Sequence, residues 1–259
     1  MSLTKINIEN NCRIKYDNGE NIIVENGMIR TARSPHKLKI PQKLDADLAY
    51  LVGYHLGDGY LEDVNKTYKR RGRGCYEIDY ADENIHQIKL INDIIHNKFG
   101  HQLRIYKVPN INLWKGKVGS CKVLHWFFTA VLKIPMGKKN KIKIPKWVLK
   151  KNTFLSNFLS GFFDAEGDIS ETSNHCYKGK RYTILRIQLT QKDKSILIKI
   201  KQILYNTYNI RSNIFKKWKQ EAWALRIWGS KNANRFKESI NFRNNIKKEK
   251  LNTLLEGSK

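Results

Sequence analysis

The sequence predicts an α+β protein made of two copies of one unit, each a motif helix, strands, a helix, strands and a helix. Three observations predict it. Two near-copies of one apolar segment, Leu51-Val-Gly-Tyr-His-Leu-Gly-Asp58-Gly59 and Leu159-Ser-Gly-Phe-Phe-Asp-Ala-Glu166-Gly167, each end in an acidic residue and a glycine. A shift of 109 residues superimposes Ile88, Ile91, Ile94, Ile95 and Phe99 on Leu197, Ile200, Ile203, Leu204 and Tyr208, an amphipathic helix in each half. Between the helices the apolar period drops to two, which marks antiparallel strands with one buried face.

The elements follow in order. Residues 1–43 have no counterpart in the repeat. Asp17-Asn-Gly19 and Glu25-Asn-Gly27 are turn signals between short apolar segments, so an arm or small hairpins are expected there. Ser34 to Pro41 then leads extended into the first unit, residues 44–137. After its motif helix come a basic loop, Lys66–Arg73, and strands at Tyr76–Tyr80, Leu103–Val108 and Leu113–Val118. The helix between them ends at Gly100, and its partner in the second half ends at Asn209, both residues suited to a left-handed cap. The 109-residue shift also takes Phe127 to Phe236, Val131 to Ile240 and Lys122 to Lys231, a third helix in each half. Residues 138–152, with Ile144-Pro145, read as a linker. The second unit, 153–259, has a basic loop at Lys178–Arg181. In its strands Leu185, Ile187 and Leu189 alternate with Arg186, Gln188 and Thr190, and Trp223, Leu225 and Ile227 with Ala224, Arg226 and Trp228.

Composition narrows the partner. The formal charge is +26, from 49 basic and 23 acidic side chains. A core does not need that excess, and it costs self-repulsion, so a polyanion is expected, nucleic acid above all. No long apolar run or signal peptide points to a membrane. Cys12, Cys75, Cys121 and Cys176 are too scattered for a zinc site or a disulfide framework, so they read as reduced thiols in an intracellular, reducing compartment. The termini lack the residues of a splicing block, so an intact intein is not expected.

The twin motif carries the chemistry. Gly53 and Gly57 are four apart, as are Gly161 and Ala165, which puts small residues on one helix face and lets two motif helices pack side by side. Asp58 and Glu166 then stand at helix C-termini, where the macrodipole disfavours each by about 0.3–1 kcal/mol. Carboxylates brought together repel further. A divalent cation reverses both penalties, and carboxylate oxygen, main-chain carbonyl and water are ligands that Mg2+ accepts. This suggests metal-assisted phosphodiester hydrolysis. The plain alternative, a helix end followed by a cap glycine, accounts for one motif more readily than for a matched pair in so basic a chain.

These motifs resemble those of the LAGLIDADG homing endonucleases, in the monomeric form with two motifs on one chain. The resemblance covers residues 40–259, and the second motif is the closer match. It implies an αββαββα fold in each pseudosymmetric unit, motif helices at the interface and antiparallel sheets forming a DNA-binding saddle. It implies Mg2+ at Asp58 and Glu166, with Mn2+ able to substitute and Ca2+ binding without cleavage. The Gly57 and Ala165 carbonyls would be further ligands. A site-flanking lysine before the third helix falls at Lys122 and Lys231, with simple phosphate binding as the alternative role. A water-ordering glutamine falls at Gln191. The first half has Tyr80-Ala-Asp82 there instead, so one strand is expected to be cut faster than the other. The reaction implied is cleavage of two phosphodiesters across the minor groove of a long pseudosymmetric duplex site, leaving short 3′ overhangs.

On the saddle, Arg186, Gln188 and Arg226 are candidates for base edges. Lys66, Lys69, Arg70, Arg71 and Arg73 in the first half, with Lys107, Lys115 and Lys117, are candidates for phosphate contacts. So are Lys178, Lys180, Arg181, Lys216, Lys217 and Lys219 in the second. Trp218 and Trp228 either touch DNA or fill a sheet edge. The expected partner is double-stranded DNA, bound by a monomer in an archaeal cytoplasm or an organelle, and the host element is expected to be an intron. Intron RNA is the partner in the rival reading as a maturase. A non-catalytic DNA-binding regulator is the other rival.

Overall fold

The computed structural model describes residues 6, 12–16, 20–33, 37–71, 74–139, 141–177, 180–218 and 220–257. It forms two compact units, 1–139 and 140–259. The Asp17-Asn-Gly19 turn signal lies outside the described residues, as do Arg73, Lys178 and Lys219. Among the described residues no helix is long and apolar enough to cross a membrane.

The first unit opens with an antiparallel meander of β1 (Cys12–Tyr16), β2 (Glu20–Glu25), β3 (Met28–Thr31) and β4 (Leu38–Lys39). Asn26 and Gly27 both take positive φ, 50° and 73°, and join β2 to β3 in a two-residue turn with Glu25 opposite Met28. The meander packs on its own unit. Tyr16 Oη lies 2.8 Å from Nδ1 of His125, a fully buried ring whose Nε2 lies 2.8 Å from the Glu62 carbonyl oxygen.

The motif helix α1 (Ala46–Asp58) starts where the Asp45 carboxylate accepts the Leu48 N–H at 3.0 Å, and Leu48 to Leu56 are all buried. A helix apolar on every side belongs at the centre of its unit. The chain continues through β5 (Gly59–Leu61), α2 (Val64–Arg71), β6 (Ile78–Asp82), α3 (Ile85–Phe99), β7 (Arg104–Lys107), β8 (Trp114–Val118) and α4 (Lys122–Trp126), which runs on into a π turn over Phe127–Val131. The stretch expected as a basic loop is thus mostly helix: Lys66, Lys69, Arg70 and Arg71 are exposed on α2, which buries only Val64 and Thr67.

The second unit repeats the order with α5 (Asn152–Glu166), β9 (Gly167–Tyr177), β10 (Lys180–Gln191), α6 (Lys194–Tyr208), β11 (Ser212–Lys216), β12 (Trp223–Trp228) and α7 (Ser230–Ser239), and adds α8 (Asn245–Glu256). Of the basic loop expected at Lys178–Arg181, the described residues Lys180 and Arg181 belong to β10 and pair with Tyr177 and Cys176 of β9. The repeated part of each unit is therefore αββαββα around one four-stranded antiparallel sheet, and the first unit adds the β1–β4 meander and inserts α2 between β5 and β6. The strand orders, β5-β6-β8-β7 and β9-β10-β12-β11, are the same.

The repeat has two registers. The middle elements keep the 109-residue shift: α3 to α6, Gly100 to Asn209 (φ 69° and 54°), and the pair Ile78–Val118 to the pair Ile187–Ile227. The motif and third helices keep 108. His55 meets Phe128 edge-on at 5.7 Å, as Phe163 meets Phe236 at 4.9 Å. Lys133 and Asn241, the left-handed residues after these helices, are 108 apart as well. Gly229, at φ 79°, turns β12 into α7 one residue sooner than the first unit turns β8 into α4. This corrects one sequence-based equivalence: Lys122 matches Ser230, and Lys231 matches Val123.

Candidate metal and nucleic-acid site

Each motif ends the same way. Gly59 N–H donates to the His55 carbonyl and Gly167 N–H to the Phe163 carbonyl, closing the last helical turn. Both glycines are extended, at φ −80° and −88°, so neither is a left-handed cap. They are required by space. A Cβ at Gly59 would sit 2.5 Å from His55 Nδ1, and one at Gly167 would sit 2.3 Å from the Phe163 carbonyl oxygen. The chain leaves the helix directly into β5 or β9, so the acidic side chain stands at the joint of helix and sheet. Asp58 is exposed there, and Glu166 is half-buried. Gly53 and Gly161 are buried, and Gly57 and Ala165 are half-buried.

A lysine sits at each helix end. Lys139 Nζ donates to the His55, Gly57 and Gly59 carbonyls at 2.8, 2.6 and 2.7 Å. Lys247 Nζ donates to the Phe163 carbonyl at 3.4 Å and to the Asp164 carbonyl. Positive charge at a helix C-terminus offsets the macrodipole. Sequence reading missed both lysines. The signal was present, since the shift separating Asp58 from Glu166 also separates Lys139 from Lys247.

The surroundings of the two ends differ. In the first unit the Tyr54 hydroxyl donates to Asp82 at 2.8 Å, while His55 Nδ1 lies 3.1 Å from the Tyr80 hydroxyl. Burial, and next the Lys139 ammonium, hold the His55 imidazole well below its usual range, so it is neutral. Burial, then the Asp82 and Asp58 charges, push the Tyr54 phenol well up. In the second unit the buried Asp164 carboxylate accepts the Arg243 and Asn244 N–H groups at 3.0 Å each, tying α8 to the motif helix.

Strand register locates the remaining candidates. Gly59 pairs with Tyr80 and Gly167 with Leu189. Gln191 lies two residues past that row, opposite Trp223, which in turn faces Lys216. In the first unit the row is Asp82, Trp114 and Lys107. Lys107 and Lys216 are exposed at this end of their sheets. Lys122 and Lys231 follow the opposite ends of β8 and β12. The Lys122 ammonium stacks 4.7 Å from the Tyr76 ring centre and lines a cavity of about 780 Å³ with Thr31 and Leu38. The structure thus brings Gln191 to the helix-end side of its sheet and sets Lys122 and Lys231 on the other.

The polar strand faces are organised before any ligand arrives. Arg226 Nε donates to Gln188 at 2.7 Å, and Arg186 donates to Ser170 Oγ at 3.1 and 2.7 Å. The Arg226 guanidinium also lies 5.0 Å from the Phe215 ring centre and 5.8 Å from that of Trp228. Trp218 is 86% exposed. At the matching positions of the first unit, Lys117 pairs with Glu77 at 3.0 Å and Asp79 at 3.5 Å. Lys115 is half-buried on the same strand, and Lys217 follows β11 and is half-buried. Among the described residues one further group of ligand types, Glu62, Cys75 and Glu77, has its atoms within 4.8 Å of one another, and it contains neither motif carboxylate.

The oxygen donors at each helix end suit a hard divalent cation. In the first unit one of them, the Gly57 carbonyl, already accepts an ammonium.

Comparison with known proteins agrees with this fold. Residues 153–241 match the family model described as a LAGLIDADG-like domain. The chain is 28% identical over 226 residues to a tRNA-splicing ligase RtcB of Pyrococcus furiosus, covering 78% of this chain and 22% of that protein. It is 25% identical over 254 residues to a glutamine–fructose-6-phosphate aminotransferase of Methanocaldococcus jannaschii, covering 96% and 20%. The chain thus spans about a fifth of the length of these curated relatives. Among solved structures, I-DmoI in complex with DNA and Ca matches at 20% identity and TM-score 0.55, over 82% of this chain and 97% of that one. I-LtrWI, a LAGLIDADG homing endonuclease bound to target DNA, matches at 14% and 0.55, over 82% and 90%. Full-length DUF199/WhiA from Thermatoga maritima matches at 14% and 0.54, over 83% and 61%.

Proposed function

We propose that this chain, which carries a LAGLIDADG-like domain and the fold of the LAGLIDADG homing endonucleases, is a site-specific double-strand DNA endonuclease. One observation carries the reading. Both units present a carboxylate, Asp58 or Glu166, at a helix end closed by the same two devices, a glycine that admits no Cβ and a lysine on the carbonyls. A fold kept only for binding DNA has no use for two such acidic ends in a chain of charge +26.

Asp58 and Glu166 would hold the divalent ion, one per unit. Bound there, it supplies charge stabilisation at the scissile phosphate and lowers the pKa of an attacking water. Related structures solved with Mn and with Ca are consistent with divalent metal use, and Mg2+ is our assignment. Gln191 would orient water in the second unit, and Asp82 stands in its strand row in the first. The strand faces around Arg186, Gln188, Arg226 and Lys117 would read base edges. Exposed lysines and arginines of α2, β7 and β11 would hold phosphates. A ligase and an aminotransferase each share a segment with this chain over only a fifth of their length, which supports a module that moves between hosts.

The test is cleavage of long duplexes carrying the uninterrupted host sequence, with Mg2+ or Ca2+. Asp58→Asn with Glu166→Gln should keep binding and lose cutting. Full cutting by the double variant would sink the reading. Specific binding without cutting by the wild type, with any divalent ion, would favour a regulator instead.

A further inference from the structure

The hairpins β7–β8 and β11–β12 are built alike at their tips. Lys107 stands opposite Trp114 and Lys216 opposite Trp223, the last ladder pair before each turn. The next bond is also the same. Val108 N–H donates to the Leu113 carbonyl at 2.8 Å, and Lys217 N–H to the Ala222 carbonyl at 2.9 Å. Beyond it lie Pro109 to Asn112 in the first unit and Trp218 to Glu221 in the second. Each short loop exposes a large apolar side chain, Ile111 at 52% and Trp218 at 86%. In each unit the tip projects from the end of the sheet at which the motif acid enters. The row of Asp82 or Gln191 separates it from the row of Gly59 or Gly167.

A single exposed apolar residue is ordinary on a protein surface. One on each of two matched tips is not. The other aromatic rings on the strand face of the second unit, Phe215 and Trp228, already lie against the Arg226 guanidinium at 5.0 and 5.8 Å. Trp218 stands beyond them, in water. Its neighbours are basic: Lys216 is exposed and Lys217 half-buried, and Lys107 is exposed beside the other tip. A second copy of this chain is a poor cover for such tips. Two side chains offer roughly 200–400 Å² against the 1,200–2,000 Å² that a stable interface buries, and the lysines would repel. Duplex DNA suits both features, since phosphates meet the lysines and the faces of the bases are apolar.

We propose that the two tips are wedges for duplex DNA: Trp218 stacks into a base-pair step, and Ile111 prises a step in the same way from the first unit. This rests on the DNA-binding reading and adds to it a deformation of the duplex. Lysines on either side anchor the backbone while the apolar side chain enters. Unstacking costs least at flexible pyrimidine–purine steps, so each wedge selects such a step without a hydrogen bond to it. Trp218 offers a flat ring for stacking and should act more strongly than Ile111.

The experiment is binding of the full chain, in Ca2+, to the duplex carrying the uninterrupted host sequence. Permanganate reactivity of thymines reads unstacking, and a single mismatch is walked along the site in a parallel set of duplexes. Wild type should make thymine reactive at one step in each half-site. Trp218→Ala should bind about tenfold more weakly and lose the reactive step in one half. A mismatch at that step should restore its affinity, because the unstacking is then already done. Its salt slope should equal that of wild type, since no cation was removed. Trp218→Phe should keep most of the affinity, and Ile111→Ala should weaken binding by less and clear the other half. Both side chains are exposed, so neither change should lower the melting temperature. Wild-type affinity and an unchanged permanganate pattern in Trp218→Ala would overturn the inference and leave DNA binding intact. So would a loss of affinity that no mismatch restores. A shift of the DNA-free chain from dimer to monomer in Trp218→Ala would assign the tip to a second copy and overturn it. Failure of wild type to bind any duplex would remove the DNA-binding reading itself, and the wedges with it.

Discussion

The Tyr54 hydroxyl donates to the Asp82 carboxylate at 2.8 Å, and the other Asp82 oxygen accepts the Asn84 N–H at 2.7 Å. Asp82 is thereby fixed at the end of β6, in the row where the second unit has Gln191. Tyr54 lies one turn before Asp58 on the same helix. The motif helix and the strand end beside it are therefore one hydrogen-bonded assembly in the first unit.

Tyr54→Phe leaves a half-buried carboxylate oxygen without its donor. The expected cost is about 1–3 kcal/mol, read from the urea midpoint at constant slope. If Asp82 stays ordered only through Asn84, the loss will fall below about 0.5 kcal/mol, and the Tyr54 contact is then incidental.

Much of this fold is legible in the sequence. The acidic ends of the twin motif, the apolar spacing of α3 and α6, and the alternation along β10 and β12 are all local patterns, and each element formed where its pattern lies. What escaped were relationships that local pattern does not encode. The strands β5 and β9 start directly at Gly59 and Gly167 without a turn signal, because close approach to His55 and Phe163, not positive φ, selects those glycines. Lys122 and Lys231 lined up in sequence because a single 109-residue shift was carried past Gly229, where the chain returns to 108. Lys139 and Lys247 looked like two more basic residues among 49. Only the folded helix end shows what they bind.

The two kinds of glycine should respond differently to substitution. Gly59→Ala and Gly167→Ala force a Cβ to within 2.5 Å of the preceding turn, and the helix end must shift. We expect each to cost about 1–3 kcal/mol or more. Gly100 has open space around its Cβ position and only a φ of 69° to satisfy. Gly100→Asn should therefore cost a few tenths of a kcal/mol, since Asn209 already holds this conformation at φ 54°. Chemical denaturation of the three variants would decide it, and equal losses would contradict the steric account.

Alkaline pH should unfold the protein early. Burial raises the Tyr80 phenol well above its usual value and pushes Tyr208 up to about 12. In the unfolded chain both ionise near pH 10. The native state thus holds protons that the unfolded state has released, and stability falls as pH rises between about 10 and 12. Lys98, raised by its pairs with Asp45 and Asp47 against the opposing effect of its own burial, acts in the same direction. Tyr208→Phe should flatten the decline, as followed by circular dichroism melts across that range. An unaltered slope would mean that Tyr208 ionises in place.

The matched positions of the two strand faces carry different chemistry, and the half-sites should differ accordingly. Two arginines and a glutamine stand in the second unit where the first has two carboxylates and a lysine. Arginine reads guanine bidentately, while a carboxylate accepts from the cytosine amino group. Arg226→Ala removes a guanidinium held by Gln188 and flanked by Phe215 and Trp228, so no unpaired carboxylate is left behind. Under the DNA-binding reading it should cost about 1–3 kcal/mol of affinity and relax base preference in one half-site only. Lys117→Ala instead exposes Glu77 and Asp79 to the DNA, so affinity should fall for all sequences, most steeply at low salt. Binding selections on randomised duplexes at two salt concentrations separate the two behaviours. Equal, sequence-independent losses from both substitutions would show that these faces touch only phosphate.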